Sequence, residues 1–114
     1  DMTVAPVRNP TFVTLSDGSI RNTYDVRLLN KHGEDRPFRV SGTGHPSLRV
    51  QLEGTPYETV DVPANETYLQ RVYVVAAPGS DPAEAERSDI RFWVEDLTNG
   101  DRAYTDTIFN GRSN

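Results

Sequence analysis

The stretch LSDGSIRNTYDVRLLN, residues 15–30, joins a polar turn to an extended strand. Short oxygen side chains within residues 16–19 favour a turn because they bond to nearby backbone groups, and Gly18 tolerates a positive φ. Beyond the turn, apolar and charged residues alternate from Tyr24 to Leu28. A two-residue period is typical of a strand with one face buried, so the segment predicts a β protein.

Turn signals recur at short intervals along the rest of the chain and separate short β-patterned runs. The turns are expected at Asp17-Gly18, His32-Gly33, 42–46, 54–56, 63–65 and Asn99-Gly100. The candidate strands are residues 11–15, 20–31, 36–42, 47–53, 58–62, 67–77, 89–97 and 102–109. Short strands separated by turns at this spacing predict an all-β antiparallel sandwich of seven to eight strands.

The clearest local signal is Asn99-Gly100, which separates a run ending at Leu97 from a run that contains Tyr104 and Ile108. A type I′ turn requires positive φ at both central residues, and the Asn-Gly pair accommodates it. We therefore predict a two-stranded hairpin closed by this turn.

The first strand of that hairpin has two chemically different sides. Ile90, Phe92 and Val94 alternate with Arg91, Trp93 and Glu95. We expect the apolar series to face the core and Trp93 to face outward. Since aromatic residues beside arginine are typical interface anchors, Arg91, Trp93 and Glu95 are the candidate interaction residues. The alternatives are that a neighbouring loop covers Trp93, or that the strand faces the other way.

The predicted core follows from the same alternation in the other strands. It consists of Tyr24, Val26, Leu28, Phe38, Val40, Leu48, Val50, Leu52, Ile90, Phe92 and Val94. In residues 67–77, apolar side chains occur at both odd and even positions. We therefore expect a central strand with both faces partly covered and leave its register open. Residues 79–88 are interpreted as an acidic loop, with a single helical turn at Pro82 as the alternative.

Composition excludes several classes of function. With 114 residues the chain has the size of one domain. It contains no cysteine, which removes disulfides, thiolate metal sites and iron–sulfur ligands. The net charge of −5, with Lys31 the only lysine among 12 basic residues, makes nucleic acid an unfavourable partner. No apolar run reaches the ~18 residues of a membrane-spanning helix.

Residues suited to catalysis or to metal binding are scarce. There is no nucleophile motif and no phosphate-binding or dinucleotide motif, so we expect no catalytic residues and no cofactor in this domain. The candidate copper ligands are Met2, His32 and His45. We interpret the two histidines as surface-loop residues and expect no metal site. A calcium site at Asp17 or at Glu95, Asp96 and Asp101 is the less favoured alternative.

Several segments together resemble one known family. They are the quoted stretch 15–30, Arg8-Asn9-Pro10, Phe12-Val13, Ile90-Arg91-Phe92, Val94-Glu95-Asp96-Leu97 and Asp106-Thr107-Ile108-Phe109. They resemble the carboxy-terminal immunoglobulin-like domain of the FixG/CcoG (RdxA-type) cytochrome c oxidase accessory proteins. The resemblance extends over nearly the whole chain, and it implies an immunoglobulin-like sandwich.

The resemblance also implies a context. Residues 1–114 would be a single domain excised from a membrane-bound iron–sulfur protein, with transmembrane helices, cysteine clusters and 4Fe-4S clusters upstream. The domain would lie at the periplasmic face of the bacterial inner membrane. Its partners would be oxidase subunits or copper-delivery proteins in microaerobic respiratory assembly or nitrogen fixation.

Three hypotheses about function follow. In the first, this is a non-catalytic interaction domain in oxidase maturation, which docks a protein through the Trp93 surface. In the second, His32 and His45 converge to bind copper for transfer or reduction. In the third, the chain is a secreted or cell-surface adhesion-type sandwich unrelated to respiration.

Overall fold

A computed structural model describes residues 1–112, which form nine strands and one helical turn. The strands are β1 (Met2–Pro6), β2 (Val13–Thr14), β3 (Ile20–Leu29), β4 (Arg36–Gly44), β5 (Leu48–Leu52), β6 (Thr59–Val62), β7 (Thr67–Ala76), β8 (Ser88–Asp96) and β9 (Arg102–Phe109), and the helix α1 is Asp81–Glu84. Within this part of the chain, no helix has the length and apolar character needed to cross a membrane.

The strands form two antiparallel sheets, as predicted. The first sheet has the order β1-β3-β7-β5, with the short β2 also pairing with β3, and the second has the order β6-β4-β8-β9. The predicted immunoglobulin-like sandwich is confirmed. The count of seven to eight strands was too low because β1 was missed, although Met2 and Val4 alternate with exposed Thr3 and Ala5.

The core lies between the two sheets and agrees closely with the predicted set. All the predicted core residues are buried except Leu48 and Val50, which are partly buried on β5 at the edge of its sheet. At the centre, the ring of Tyr24 packs edge-on against Phe92 with centroids 5.0 Å apart. The Tyr24 hydroxyl donates to the Ile108 carbonyl at 2.7 Å, so it is satisfied, and burial raises the pKa of this phenol.

The register of β7, which the sequence left open, follows from its place between β3 and β5. Gln70, Val72, Val74 and Ala76 face the core, whereas Leu69 is 48% exposed. Residues on the opposite face of this strand are partly covered towards its end. The expectation of a central strand is confirmed.

The predicted hairpin between β8 and β9 exists, but its turn is not type I′. Gly100 has a φ of 81°, whereas Asn99 is not among the residues with positive φ. The Asp96 N–H donates to the Asp101 carbonyl at 2.8 Å, so four residues form the loop. The Asp96 carboxylate accepts from the Thr98 N–H at 2.8 Å. Such side-chain bonds stabilise longer turns.

The interpretation of residues 79–88 as a plain loop was wrong, because Asp81–Glu84 forms a helical turn. Ser80 occupies the N-cap position without a side-chain capping bond. The turn is held by packing instead, since Pro82 and Ala83 are buried. The Arg112 N–H donates to the Ala83 carbonyl at 2.7 Å, which ties the segment after β9 to the helix.

Candidate interaction surface

Arg91, Trp93 and Glu95 lie on the outer face of the second sheet, as the alternation predicts. They are half-buried and alternate with the buried Ile90, Phe92 and Val94 along β8. Because β8 lies between β4 and β9, neighbouring strands flank Trp93 on both sides. The side on which Trp93 lies is therefore confirmed, while its role in binding stays a prediction.

Trp93 belongs to an aromatic and arginine cluster that spans β8 and β9. Its ring lies 5.3 Å from the ring of Tyr104, its cross-strand partner. The Arg102 guanidinium lies 4.2 Å from the Trp93 centroid, and that of Arg91 lies 3.8 Å from the Tyr104 centroid. The indole N–H donates to Thr43 Oγ1 at 3.1 Å. We call Arg91, Trp93, Arg102 and Tyr104 the aromatic cluster.

An ion pair between Arg91 and Asp106 holds part of the aromatic cluster in place. Arg91 Nε and Nη2 donate to the two Asp106 carboxylate oxygens at 2.7 and 3.1 Å. This paired hydrogen bond lowers the pKa of Asp106, which is charged at neutral pH. Glu95 accepts from Arg39 Nη1 at 3.2 Å. The guanidinium of Arg91 is thereby positioned against the Tyr104 ring.

Two members of the aromatic cluster, Arg102 and Tyr104, were not among the predicted interaction residues. The signal that could have found them is the alternation of Arg102, Tyr104 and Asp106 along β9. Once the hairpin register is known, this series lies opposite Glu95, Trp93 and Arg91. Tyr104 is 53% exposed, more than most large apolar side chains in the described residues.

The two histidines lie at opposite ends of the sandwich. His32 is in the loop before β4, and His45 is in the loop after it. The nine-residue strand between them is ~26 Å long at ~3.3 Å per residue. His32 Nε2 lies 3.7 Å from Asp96, and His45 Nε2 lies 3.7 Å from Asp81. The convergence that the copper hypothesis requires is not found.

The carboxylates named for calcium are also separated. Asp17 lies in the turn before β3, where it accepts from the Ser19 N–H and Oγ at 2.9 and 2.6 Å. Asp96 and Asp101 lie at the other end, beside the β8–β9 loop. Among residues 1–112, no group of three or more His, Cys, Asp or Glu side chains is close enough to hold a metal ion.

The carboxylate of Asp96 is buried and hydrogen-bonded within the protein. Its side chain is 6% exposed and accepts from Arg36 Nη1 at 2.7 Å. A pocket of 160 Å³ beside it is lined by His32, Phe38 and Ala103 among others, which is below the ~300–1,000 Å³ of typical ligand sites. Burial alone would raise the pKa of Asp96, but the hydrogen bonds from Arg36 and the Thr98 N–H lower it.

We expect the lowered pKa of Asp96 to make stability depend on pH. Unfolded, this carboxyl titrates near its ordinary pKa of 3.8. In the folded state this carboxyl binds its proton at lower pH, so its contribution to stability is complete above about pH 5 and is lost progressively as the pH falls through the folded pKa. Urea unfolding between pH 6 and pH 2 measures this loss.

The matched variant is Asp96→Asn, which keeps the shape and removes the titration. We expect this variant to be less stable than the native chain at neutral pH and to lose less additional stability on acidification. If Asp96→Asn and the native chain lost the same free energy of unfolding between pH 6 and pH 2, other carboxylates would be responsible for the pH dependence.

Comparison with known proteins places this sandwich in a family. Residues 1–112 match the family model described as "IG-like fold at C-terminal of FixG, putative oxidoreductase". The chain belongs to the FixG C-terminal domain family. The resemblance seen in the sequence is thereby confirmed for the domain as a whole.

Relatives of the FixG C-terminal domain include longer proteins. The chain is 60% identical to Protein RdxB of Cereibacter sphaeroides over 114 residues, which is all of this chain and 24% of that protein. It is 52% identical to Protein RdxA of the same organism over 84% of this chain and 20% of that protein. The Rhizobium meliloti nitrogen fixation protein FixG is 41% identical over 47% of this chain and 10% of its own length.

A solved structure has the same fold. The crystal structure of a FixG-related protein from Vibrio parahaemolyticus superposes with a TM-score of 0.81 and covers 98% of this chain and 95% of that one. The sequence identity is 18%. This similarity supports the architecture of the FixG C-terminal domain and carries no argument about its activity.

Proposed function

We propose that this chain is a non-catalytic accessory domain of a longer, membrane-tethered FixG-type protein and that it docks a protein partner during cytochrome oxidase assembly. The family match and the longer relatives support the first part of the proposal. The aromatic cluster supports the second. In this proposal the domain faces the periplasm.

The observation that carries the docking proposal is the position of Trp93. Its ring points outward and packs against Tyr104 and Arg102 on a sheet face that lies outside the core. Phe92 and Val94 fill the inner side of the same strand, so Trp93 adds little to the core. Large aromatic side chains held rigidly beside arginine lose little conformational entropy on binding, and they are frequent hot spots. The outer face is therefore suited to recognition.

The aromatic cluster also indicates the chemistry of the partner. Arg102 stacks on Trp93 and makes no ion pair with a described residue. A partner protein segment that carries a carboxylate beside an apolar side chain would complement this arginine and the adjacent ring. We propose an oxidase subunit or a copper-delivery protein as the source of that segment.

Redox chemistry, in this proposal, belongs to the remainder of the longer protein. The chain contains no cysteine, so thiolate ligands for 4Fe-4S clusters would come from outside this domain. The separation of His32 from His45 removes the basis for direct copper binding by both residues. Family membership favours the respiratory context over the adhesion hypothesis.

The test is crosslinking in membranes of the longer protein that contains this domain, comparing native protein with Trp93→Ala. We expect one specific adduct to be lost, because the variant removes the centre of the docking surface while leaving the core intact. The adducts are resolved by gel and identified by mass spectrometry.

The matched control is Tyr57→Ala, which removes another exposed aromatic ring, 70% exposed in the β5–β6 connection. It should leave the adduct unchanged. A crosslinking pattern that is the same in native protein and Trp93→Ala would count against the docking proposal. So would an equal loss in both variants.

A further inference from the structure

Strand β9 forms one edge of the second sheet, and its outward backbone groups can be identified. The Asp101 carbonyl accepts from Asp96 and so points towards β8. Since successive residues of a strand alternate in direction, the N–H and C=O groups of Arg102, Tyr104 and Asp106 point away from β8. The carbonyl of Ile108 also points away from β8, since it accepts from the Tyr24 hydroxyl on the other sheet.

Hydrogen bonds close the β9 edge at one end. At the other, open end β1 of the first sheet lies near β9, but no backbone hydrogen bond joins the two strands among residues 1–112. Beyond Asp106, Tyr24 bonds to Ile108, and Asn22 bonds to both backbone groups of Asn110 at 2.8 and 2.7 Å. The outward groups of Arg102, Tyr104 and Asp106 make no hydrogen bond to a described residue. These residues are exposed. Ala103 is exposed as well, although its pairing partner Val94 is buried.

The open segment is complementary to itself. In an antiparallel pair centred on Tyr104, Arg102 of each copy lies opposite Asp106 of the other, and the two Tyr104 residues lie opposite each other. Opposite charges and aromatic rings in these positions stabilise a strand pair. All three residue pairs fall in the hydrogen-bonded register, which allows about six backbone hydrogen bonds.

We propose that the domain forms a two-fold symmetric dimer in which β9 pairs with β9 of a second copy. The two second sheets then join into one continuous sheet, and the Trp93–Tyr104 stack continues across the axis. A strand of unrelated sequence could use the same backbone groups but would not match Arg102 and Asp106 in both directions. The dimer would place Asp106, which also accepts from Arg91 of its own chain, beside Arg102 of the second copy. Arg102 is also the arginine assigned to the docking partner above, but the observations and the test for the dimer do not depend on the proposed function.

Cysteine placement tests the register, since the chain has no cysteine of its own. A cysteine at position 104 lies beside its symmetry mate, with Cα atoms ~5.5 Å apart, within disulfide range. Two cysteines at position 102 would be ~13 Å apart, four residues along the strand. We expect Tyr104→Cys to form a disulfide-linked dimer on mild oxidation, and Arg102→Cys to remain monomeric on a non-reducing gel.

A mixture provides a second check of the same register. Arg102→Cys mixed with Asp106→Cys should give a mixed disulfide that neither variant gives alone, because these positions lie opposite each other. No crosslink at position 104, or equal yields for Tyr104→Cys and Arg102→Cys, would overturn the proposal.

Sedimentation equilibrium of the 114-residue chain tests the backbone pairing. Tyr104→Pro removes an N–H that points away from β8, so the β8–β9 ladder is retained. The loss of two intermolecular hydrogen bonds should raise the dimer dissociation constant about thirtyfold. Tyr104→Ala removes the ring but keeps the N–H and should weaken the dimer less.

Three results would overturn the proposal in this measurement. They are a native chain that stays monomeric at about 1 mM, a dimer that Tyr104→Pro does not weaken, and equal weakening by the proline and alanine variants. Circular dichroism of each variant confirms that the sandwich is folded.

Discussion

Replacing Phe92 with alanine is expected to cost about 3–5 kcal/mol of the free energy of unfolding. Phe92 is fully buried on β8 and packs against the Tyr24 ring at 5.0 Å. The substitution opens a cavity between the two sheets, and the surrounding strands cannot close it without breaking their ladders. Urea unfolding followed by fluorescence or circular dichroism measures the loss.

The neighbouring residue supplies the control. Trp93→Ala removes a larger ring from the other face of the same strand, where it is half-buried, and should cost about 1 kcal/mol. Similar losses in the two variants would contradict the assignment of inner and outer faces. Phe92→Leu, which retains most of the volume, should fall between the two.

Gly111→Ala is expected to destabilise the domain by about 1–3 kcal/mol. A Cβ at this position would lie well inside the contact distance of the carbonyl oxygens of Pro82 and Ala85. Both are backbone atoms, so no side chain can rotate away. The segment after β9 would have to move off α1 and lose the bond from Arg112 to Ala83.

Gly33→Ala is the matched control, because no atom lies within 4 Å of a Cβ built there. It should change the free energy of unfolding by less than about 0.5 kcal/mol. An equally small effect of Gly111→Ala would contradict the close packing of the chain end on the helix. Thermal unfolding of both variants in one buffer makes the comparison.

Alternation along the strands allowed much of the fold to be predicted. Because side chains of a strand point alternately to its two faces, Phe92 and Trp93 could be assigned to opposite sides before any partner strand was known. The same rule identified most of the core. It failed at β1, a five-residue edge strand ending at Pro6, where the apolar pattern is too short to stand out.

The partners of Trp93 could not be predicted in the same way. A two-residue turn at Asn99-Gly100 would have paired Trp93 with Asp106, whereas the four-residue loop pairs it with Tyr104. Trp93 stays on the outer face in both cases, because the two pairings differ by two residues and a strand repeats its side-chain direction every two residues. The contact changes from a carboxylate to an aromatic ring, so the aromatic cluster depended on the loop that the Asp96 carboxylate stabilises.

Local residue order was enough to establish which side chains of this FixG C-terminal domain face inward, because burial follows the two-residue period of each strand. Contacts between segments far apart in the chain required the folded molecule. The helical turn at Asp81–Glu84 exists because Pro82 and Ala83 pack into the sandwich. His32 and His45 are apart because the nine-residue strand β4 lies between them. Such contacts depend on packing between distant segments, which no short sequence window contains.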